Sequence, residues 1–379
     1  MKNEKNIKIF YVAEFSLPNM SAYSLHVLKM CDALSELGYD LTLILNSSDK
    51  KYNFSKIKID YLLKSKFKIE SIFNKKKKFN LFRRIIFAKK CYNILKKERK
   101  SLIITRSPIV SLYLSLFKIH NILEIHTELT GISKYIFDLF NKMNLDNRIK
   151  YILLNKNLIK ILNLHKKKNI ILYDAVDVRD FKNLHNDKIK NSCVYAGSFA
   201  KGKGLEIIEK IAKVSPKMQF HLYGNKNTSY KSTDNYPNNI KFKGYVSYSK
   251  LTKVLPKYKV LLMPYEKEVG VLMKKINVVS YFSPLKLFEY MATGSCILAS
   301  KLKVYQNILK HNQNSILIEH WDINTWSKNI FKVLNSNVNK IGIETNIILP
   351  EKTNEINFKA KIVKGPKNLI KDEIYTGEL

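Results

Sequence analysis

The chain has 379 residues, 45% of them hydrophobic, and its 67 Lys and Arg outweigh 31 Asp and Glu for a formal net charge of +36. This length and apolar content exclude a disordered chain and imply two domains of roughly 150 to 200 residues each. No 18-residue apolar run is free of charge, Met1 to Lys8 lead directly into an apolar strand, and Cys31, Cys91, Cys193 and Cys296 show no CxxC spacing; the expectation is a soluble cytoplasmic protein in a reducing compartment.

The charge invites a nucleic-acid partner, but the excess is mostly lysine accompanied by abundant isoleucine and asparagine, a mixture that AT-rich codon usage produces by itself. The aromatic residues are spread through strands and helices with no binding-module motif, so a basic nucleic-acid-binding protein is the least supported class. Residues 64–100 concentrate Lys75, Lys76, Lys77, Lys78, Arg83, Arg84, Lys89 and Lys90 around Phe79, Phe82, Ile85 and Ile86. This basic amphipathic segment suits either an anionic membrane surface or a plain solvated helix.

In chain order, Ile7 to Ala13 reads as a strand, Ser24 to Leu37 as a helix stopped by Gly38, and Leu41 to Leu45 as a second strand. Strand, helix and strand in this order begin a right-handed parallel crossover. Apolar runs at Leu102 to Thr105, Ile122 to Ile125, Tyr151 to Leu154 and Ile170 to Tyr173 continue the half, and polar Asp180 to Asn191 reads as a linker. The pattern restarts with strands at Cys193 to Gly197, Met218 to Tyr223, Ile240 to Phe242, Val260 to Pro264, Cys296 to Ala299 and Ser315 to Ile318. Helical spacing appears at Gly204 to Val214, Ser249 to Leu255, Pro284 to Thr293 and Thr325 to Leu334, and periodicity fades after Asn335. The domains expected are 1–183, 184–336 and an unassigned tail, 337–379.

The run SPLKLFEYMATG, Ser283 to Gly294, is the most informative stretch. Ser283 suits an N-cap, Pro284 the first helical position, and Gly294 the left-handed residue that ends a helix. Leu285, Leu287, Phe288, Met291 and Ala292 fill one arc, leaving Lys286 and Glu289 on a narrow polar strip. A helix start can receive a phosphate, and a carboxylate further along can accept hydrogen bonds from ribose hydroxyls. The alternative is a solvated ion pair between Lys286 and Glu289.

With these motifs the chain resembles a family-4 glycosyltransferase of GT-B architecture, of the capsule and surface-polysaccharide type, over roughly residues 7 to 334. The resemblance implies two Rossmann-like doubly wound α/β domains facing a central cleft, the first on the acceptor side and the second holding the donor. YAGSFAKGKGL resembles the family's glycine turn, making Gly197, Ser198, Lys201 and Lys203 donor-diphosphate ligands. SPLKLFEYMATG resembles its donor helix, adding Ser283, Pro284, Leu285, Lys286 and Glu289, the last as ribose acceptor. Pro18 to Met30 resembles the first-domain entry, with Ser21, Ala22 and Ser24 on the acceptor side; TRSP offers Arg106, and EIHTE offers His126 beside the reacting sugar. By the resemblance His126, Lys203 and Glu289 are the catalytic set. Read alone, His126 equally suits a structural hydrogen bond, His26 a packed position in its helix, and Arg106 an ion pair with Glu124.

This chain departs from the family pattern at Ser198, where arginine is usual, at Tyr281, where the first glutamate of an E(x7)E pair would stand, and in a tail without the family's returning helix. The expected activity is retaining, metal-independent transfer of a hexose from a UDP- or GDP-sugar to a lipid-linked or polysaccharide acceptor at the inner face of the membrane. No cofactor is required, no DxD follows an apolar strand, and a nucleotide-sugar 2-epimerase on a similar scaffold is the enzyme alternative.

Overall fold

The computed structural model describes residues 7–74, 80–98, 100–165, 167–181, 188–225, 236–267, 270–271, 274–277, 285–305 and 308–336. The chain forms two compact units, divided between Tyr173 and Asp174.

Unit one contains β1 (Lys8–Leu17), α1 (Ala22–Glu36), β2 (Asp40–Ser48), α2 (Phe54–Tyr61), β3 (Lys68–Ser71), α3 (Leu81–Leu95), β4 (Leu102–Thr105), α4 (Pro108–Leu116), β5 (Asn121–Ile125), α5 (Gly131–Lys142), β6 (Ile149–Leu153), α6 (Asn157–Ile161) and β7 (Asn169–Ile171). Its strands form one parallel sheet in the order β3-β2-β1-β4-β5-β6-β7. Strand β5 is buried along its whole length and β2 along nearly all of it, as central strands of a parallel sheet covered on both faces must be. Each face has its own core: Tyr11, Val27, Leu28 and Leu43 belong to one, and Phe10, Val12, Phe87 and Val110 to the other.

Unit two contains β8 (Ser192–Ala196), α7 (Leu205–Val214), β9 (Gln219–Tyr223), β10 (Ile240–Gly244), α8 (Tyr248–Val254), β11 (Val260–Met263), β12 (Gly270–Val271), β13 (Lys274–Asn277), α9 (Leu285–Ala292), β14 (Cys296–Ser300), β15 (Ile316–Ile318) and α10 (Ile323–Asn335). Its six-stranded parallel sheet runs β10-β9-β8-β11-β14-β15, and β12 and β13 make a small antiparallel hairpin. Helix α10 buries Trp326, Ile330, Val333 and Leu334 at helical spacing. Asn239 closes the other edge by donating to the carbonyls of Ala212, Ser215 and Met218.

Both sheets have the doubly wound order in which the chain reverses direction beside its first strand, and ligands bind such sheets at the strand C-termini flanking that reversal. In unit one the reversal lies between β1 and β4, and in unit two between β8 and β11.

The described part of residues 64–100 contains β3 and α3, and α3 buries Phe87, Ala88, Cys91 and Leu95. Lys75 to Phe79, Arg99, Ser283, Pro284 and the tail 337–379 lie outside the described residues. Among the described residues no helix is long and apolar enough to cross a membrane.

Candidate functional site

In unit two the sequence-selected residues gather at the C-terminal ends of β8 and β11. The loop after β8 turns at Gly197 (φ +153°) and again at Gly204 (φ +87°), which caps α7. A Cβ at Gly204 would overlap the Pro264 carbonyl just after β11, and a Cβ at Gly224 would overlap the Gly197 carbonyl, so the glycines let three strand ends approach closely. The Glu266 N–H donates to the Gly202 carbonyl at 2.9 Å, tying the loop to the end of β11.

Lys203 donates from Nζ to Ser198 Oγ at 2.9 Å, and burial lowers its pKa. Lys201 is exposed. Helix α9 ends at Gly294 in the left-handed conformation, as expected. Its polar strip faces inward, with Lys286 8% and Glu289 7% exposed and Tyr290 fully buried, whereas Leu285, Met291 and Ala292 are half-buried. This burial removes the solvated ion-pair alternative. The Ala196 N–H donates to Tyr290 Oη at 2.9 Å, so α9 is pinned to the last residue of β8.

Lys286 Nζ lies 3.7 Å from the Tyr195 ring centroid and 5.1 Å from that of Tyr265, without a hydrogen-bond partner among the described residues. Burial, reinforced by Lys203, holds its pKa well below the usual lysine range against the pull of Glu289. Burial raises Glu289 to about 7, with Lys286 pulling it down and Asp174 pushing it up. Two amines and one carboxyl thus lie together in a poorly solvated part of unit two.

In unit one, β5 carries Glu124 into a buried cluster. Glu124 accepts from Tyr11 Oη and pairs with His126 Nε2, and His26 Nε2 lies 2.7 Å from its Oε1. Burial would raise the Glu124 pKa, but His26 and His126 hold it well below the carboxylate range. Burial, with Arg106 and His26, lowers His126 to about 4 despite Glu124. A neutral His126 presents Nε2–H to the carboxylate and keeps Nδ1 as an acceptor. The His26 and His126 rings meet edge to face at 4.5 Å.

Arg106 follows β4 and stacks over Tyr23 at 4.3 Å; it forms no ion pair with Glu124, and its Nε and Nη1 have no hydrogen-bond partner among the described residues. Glu14 accepts from Ser107 Oγ and pairs with Arg84, 2.8 Å from Nε to Oε2. Ser21 caps α1 by accepting from the Ser24 N–H, and Ala22 is the first helical residue. Buried Ser24 donates to the Ser21 carbonyl at 2.9 Å, leaving Ser21 and Ala22 as the exposed part of that turn.

Sequence reading brought together Gly197, Ser198, Lys203, Lys286 and Glu289, which the fold also joins. It missed Tyr195 and Tyr265, whose rings hold Lys286, and the pinning role of Tyr290. It also left His26 apart from His126. Periodicity could signal Tyr290, one residue beyond Glu289 on the polar strip, but not tyrosines from β8 and the end of β11.

Residues 190–336 match the family model described as "Glycosyl transferases group 1". No curated protein matches the chain in sequence. A glycosyltransferase structure from Rickettsia africae ESF-5 is similar at TM-score 0.70 and 14% identity, over 98% of this chain and 100% of that one. TarM, from S. aureus, aligns at TM-score 0.71 and 14% identity over 96% and 98%. The Anabaena protein HepE in complex with UDP aligns at TM-score 0.64 and 12% identity over 97% and 100%. The chain therefore has the α/β fold with two Rossmann-like parallel sheets found in these GT-B glycosyltransferases, and its second unit carries the group 1 glycosyl transferase match.

Proposed function

We propose that the chain is a retaining, metal-independent glycosyltransferase of family-4 type that moves a hexosyl group from a UDP- or GDP-sugar to a lipid-linked or polysaccharide acceptor in surface-glycan synthesis. The observation that carries this reading is the meeting of Lys203 and Lys286 at the Gly197 turn, with Glu289 acting on Lys286 from the same helix, at the strand ends flanking the reversal of the second sheet. Unit two, which begins at Asp174 rather than at residue 184 as expected from the sequence, then holds the donor and unit one the acceptor. Gly197 and Ser198 admit the diphosphate, Lys201 and Lys203 contribute positive charge, Leu285 begins the donor helix that Ser283 and Pro284, outside the described residues, precede in sequence, and Glu289 accepts from the ribose. HepE was also crystallised with UDP-glucose, and TarM with UDP and alpha-GlcNAc-glycerol. These ligands of similar folds support a nucleotide-sugar donor and a glycosyl acceptor.

Retention of configuration requires no acid–base pair straddling the bond. The leaving diphosphate, stabilised by lysines in a poorly solvated pocket, can itself accept the proton of the incoming hydroxyl, while positioning supplies much of the rate. His126, neutral at pH 7, offers Nδ1 to a sugar hydroxyl, with Arg106, Ser21 and Ala22 on the same side of the reaction. A thermal-shift panel of nucleotide sugars tests the donor assignment. One of them should stabilise the protein, and Glu289→Ala and Lys203→Ala should reduce the response; formation of an epimer without acceptor would instead identify a 2-epimerase.

The membrane contact belongs to the same reading. Phe82 and Ile85 on α3 and Ile132, Tyr135 and Leu139 on α5 are exposed, and Arg84 on α3 donates from Nη1 to Ser133 Oγ on α5 at 2.9 Å. Lys89, Lys90 and Lys142 are exposed on the same two helices. Apolar side chains among cations match an anionic bilayer at the cytoplasmic membrane face.

A further inference from the structure

Lys286 has no structural account in unit two. Its amine is buried without a hydrogen-bond partner among the described residues, resting on the Tyr195 and Tyr265 rings. Aromatic faces compensate only part of the desolvation of an ammonium, and a methionine would fill a similar volume without it. The backbone is nevertheless arranged to admit the amine, because a Cβ at residue 197 would overlap Lys286 Nζ and Cε. Lys203, on the same turn, already bonds Ser198. Among the described residues the site therefore has one partnered lysine, one lysine without a hydrogen-bond partner and a glycine between them, which matches two linked phosphates better than one.

We propose that Lys286 makes this site selective for a nucleoside diphosphate over a nucleoside, as an unpaired amine held on two tyrosine faces that becomes the second cationic contact of the diphosphate. This rests on unit two being a nucleotide-sugar site. It gives Lys286 the charge that position 198, a serine, does not provide. The groups facing Lys286 are Lys203 from the turn, Glu289 from its own helix, and the phenols of Tyr195 and Tyr265. Burial raises both phenols, which stay protonated, and Glu289 is ionised above about 7. Burial favours the neutral amine in the unliganded site. An arriving diphosphate favours the ammonium, so binding draws a proton from solution onto Nζ.

The test is calorimetric titration of UDP, GDP, uridine and guanosine in two buffers of different ionisation enthalpy at about pH 8.5, where the phosphates and Glu289 are already ionised. The wild-type protein should take up protons with the preferred diphosphate. Lys286→Met should weaken that diphosphate about 10- to 100-fold, leave its nucleoside unchanged, remove most of the uptake, and melt no lower than wild type. Unchanged diphosphate affinity, equal weakening of nucleoside and diphosphate, absence of proton uptake by the wild type, or a lower melting temperature would each overturn the proposal. Failure of both diphosphates to bind the wild type would instead overturn the nucleotide-sugar reading, and this proposal with it.

Discussion

Glu289 joins the chemistry of the candidate site to the stability of the unliganded protein. Its pKa is raised to about 7 from 4.5, chiefly by burial, so between those values the folded chain binds more protons than the unfolded chain. Stability from this group is complete below about pH 4.5 and is lost as pH rises through 7, by on the order of 3 kcal/mol. Glu289→Gln should therefore flatten the pH dependence of urea unfolding between about pH 4.5 and 7, and should stabilise the protein at pH 8 while weakening its donor. A variant less stable than wild type at pH 8 would show that the carboxylate is structural. His126 has the opposite sign. Burial lowers it to about 4, so its contribution is complete above about pH 6.5 and fades as pH falls toward 4.

At the scale of elements, the glycine loop between β8 and α7 is the most constrained piece of the candidate site. Gly204 combines φ +87° with a Cβ direction blocked by the Pro264 carbonyl, so neither conformation nor space admits a side chain. Gly204→Ala should cost about 1 to 3 kcal/mol in chemical denaturation and disturb the turn that carries Lys203. A cost below about 0.5 kcal/mol would mean that the loop yields. The central strands were legible in the sequence because strands covered on both faces must be continuously apolar: Val260 to Met263 and Cys296 to Ala299 need no tertiary information. Helix α2 and strand β3 were not read, being a short helix and a four-residue strand exposed at both ends. Helix α9 was located correctly, but the direction of its polar strip was not evident. Amphipathic spacing normally turns charge to solvent, whereas here Lys286 and Glu289 turn toward the strand ends, and only the three-dimensional meeting of β8, β11 and α9 reveals it.

At the scale of the whole molecule, a net charge of +36 is compatible with several partners, among them the proposed anionic membrane surface. On unit one, exposed lysines of α3 and α5 accompany Phe82, 72% exposed, and Tyr135, 71% exposed. Binding to vesicles containing phosphatidylserine should weaken steeply with salt, and Phe82→Ser with Tyr135→Ser should weaken it further without altering nucleotide affinity. Equal binding to neutral and anionic vesicles would contradict the surface assigned. The resemblance in SPLKLFEYMATG and YAGSFAKGKGL reached the fold because both motifs lie in contiguous chain. The unit-one cluster draws Tyr11, His26, Glu124 and His126 from three separate segments, so contiguous motifs supplied His126 and Glu124 but not their joint arrangement.

The central claim, that unit two grips a nucleotide sugar through Lys203 and Glu289, is tested most directly by titrating the most stabilising sugar nucleotide of the panel into wild-type, Lys203→Ala and Glu289→Ala proteins. The account predicts saturable binding to the wild type, stabilisation of about 2.7 kcal/mol at a hundredfold excess over Kd, and a loss of about 1.5 to 3 kcal/mol in each variant. Binding unchanged in both variants, or no nucleotide sugar that binds at all, would contradict it.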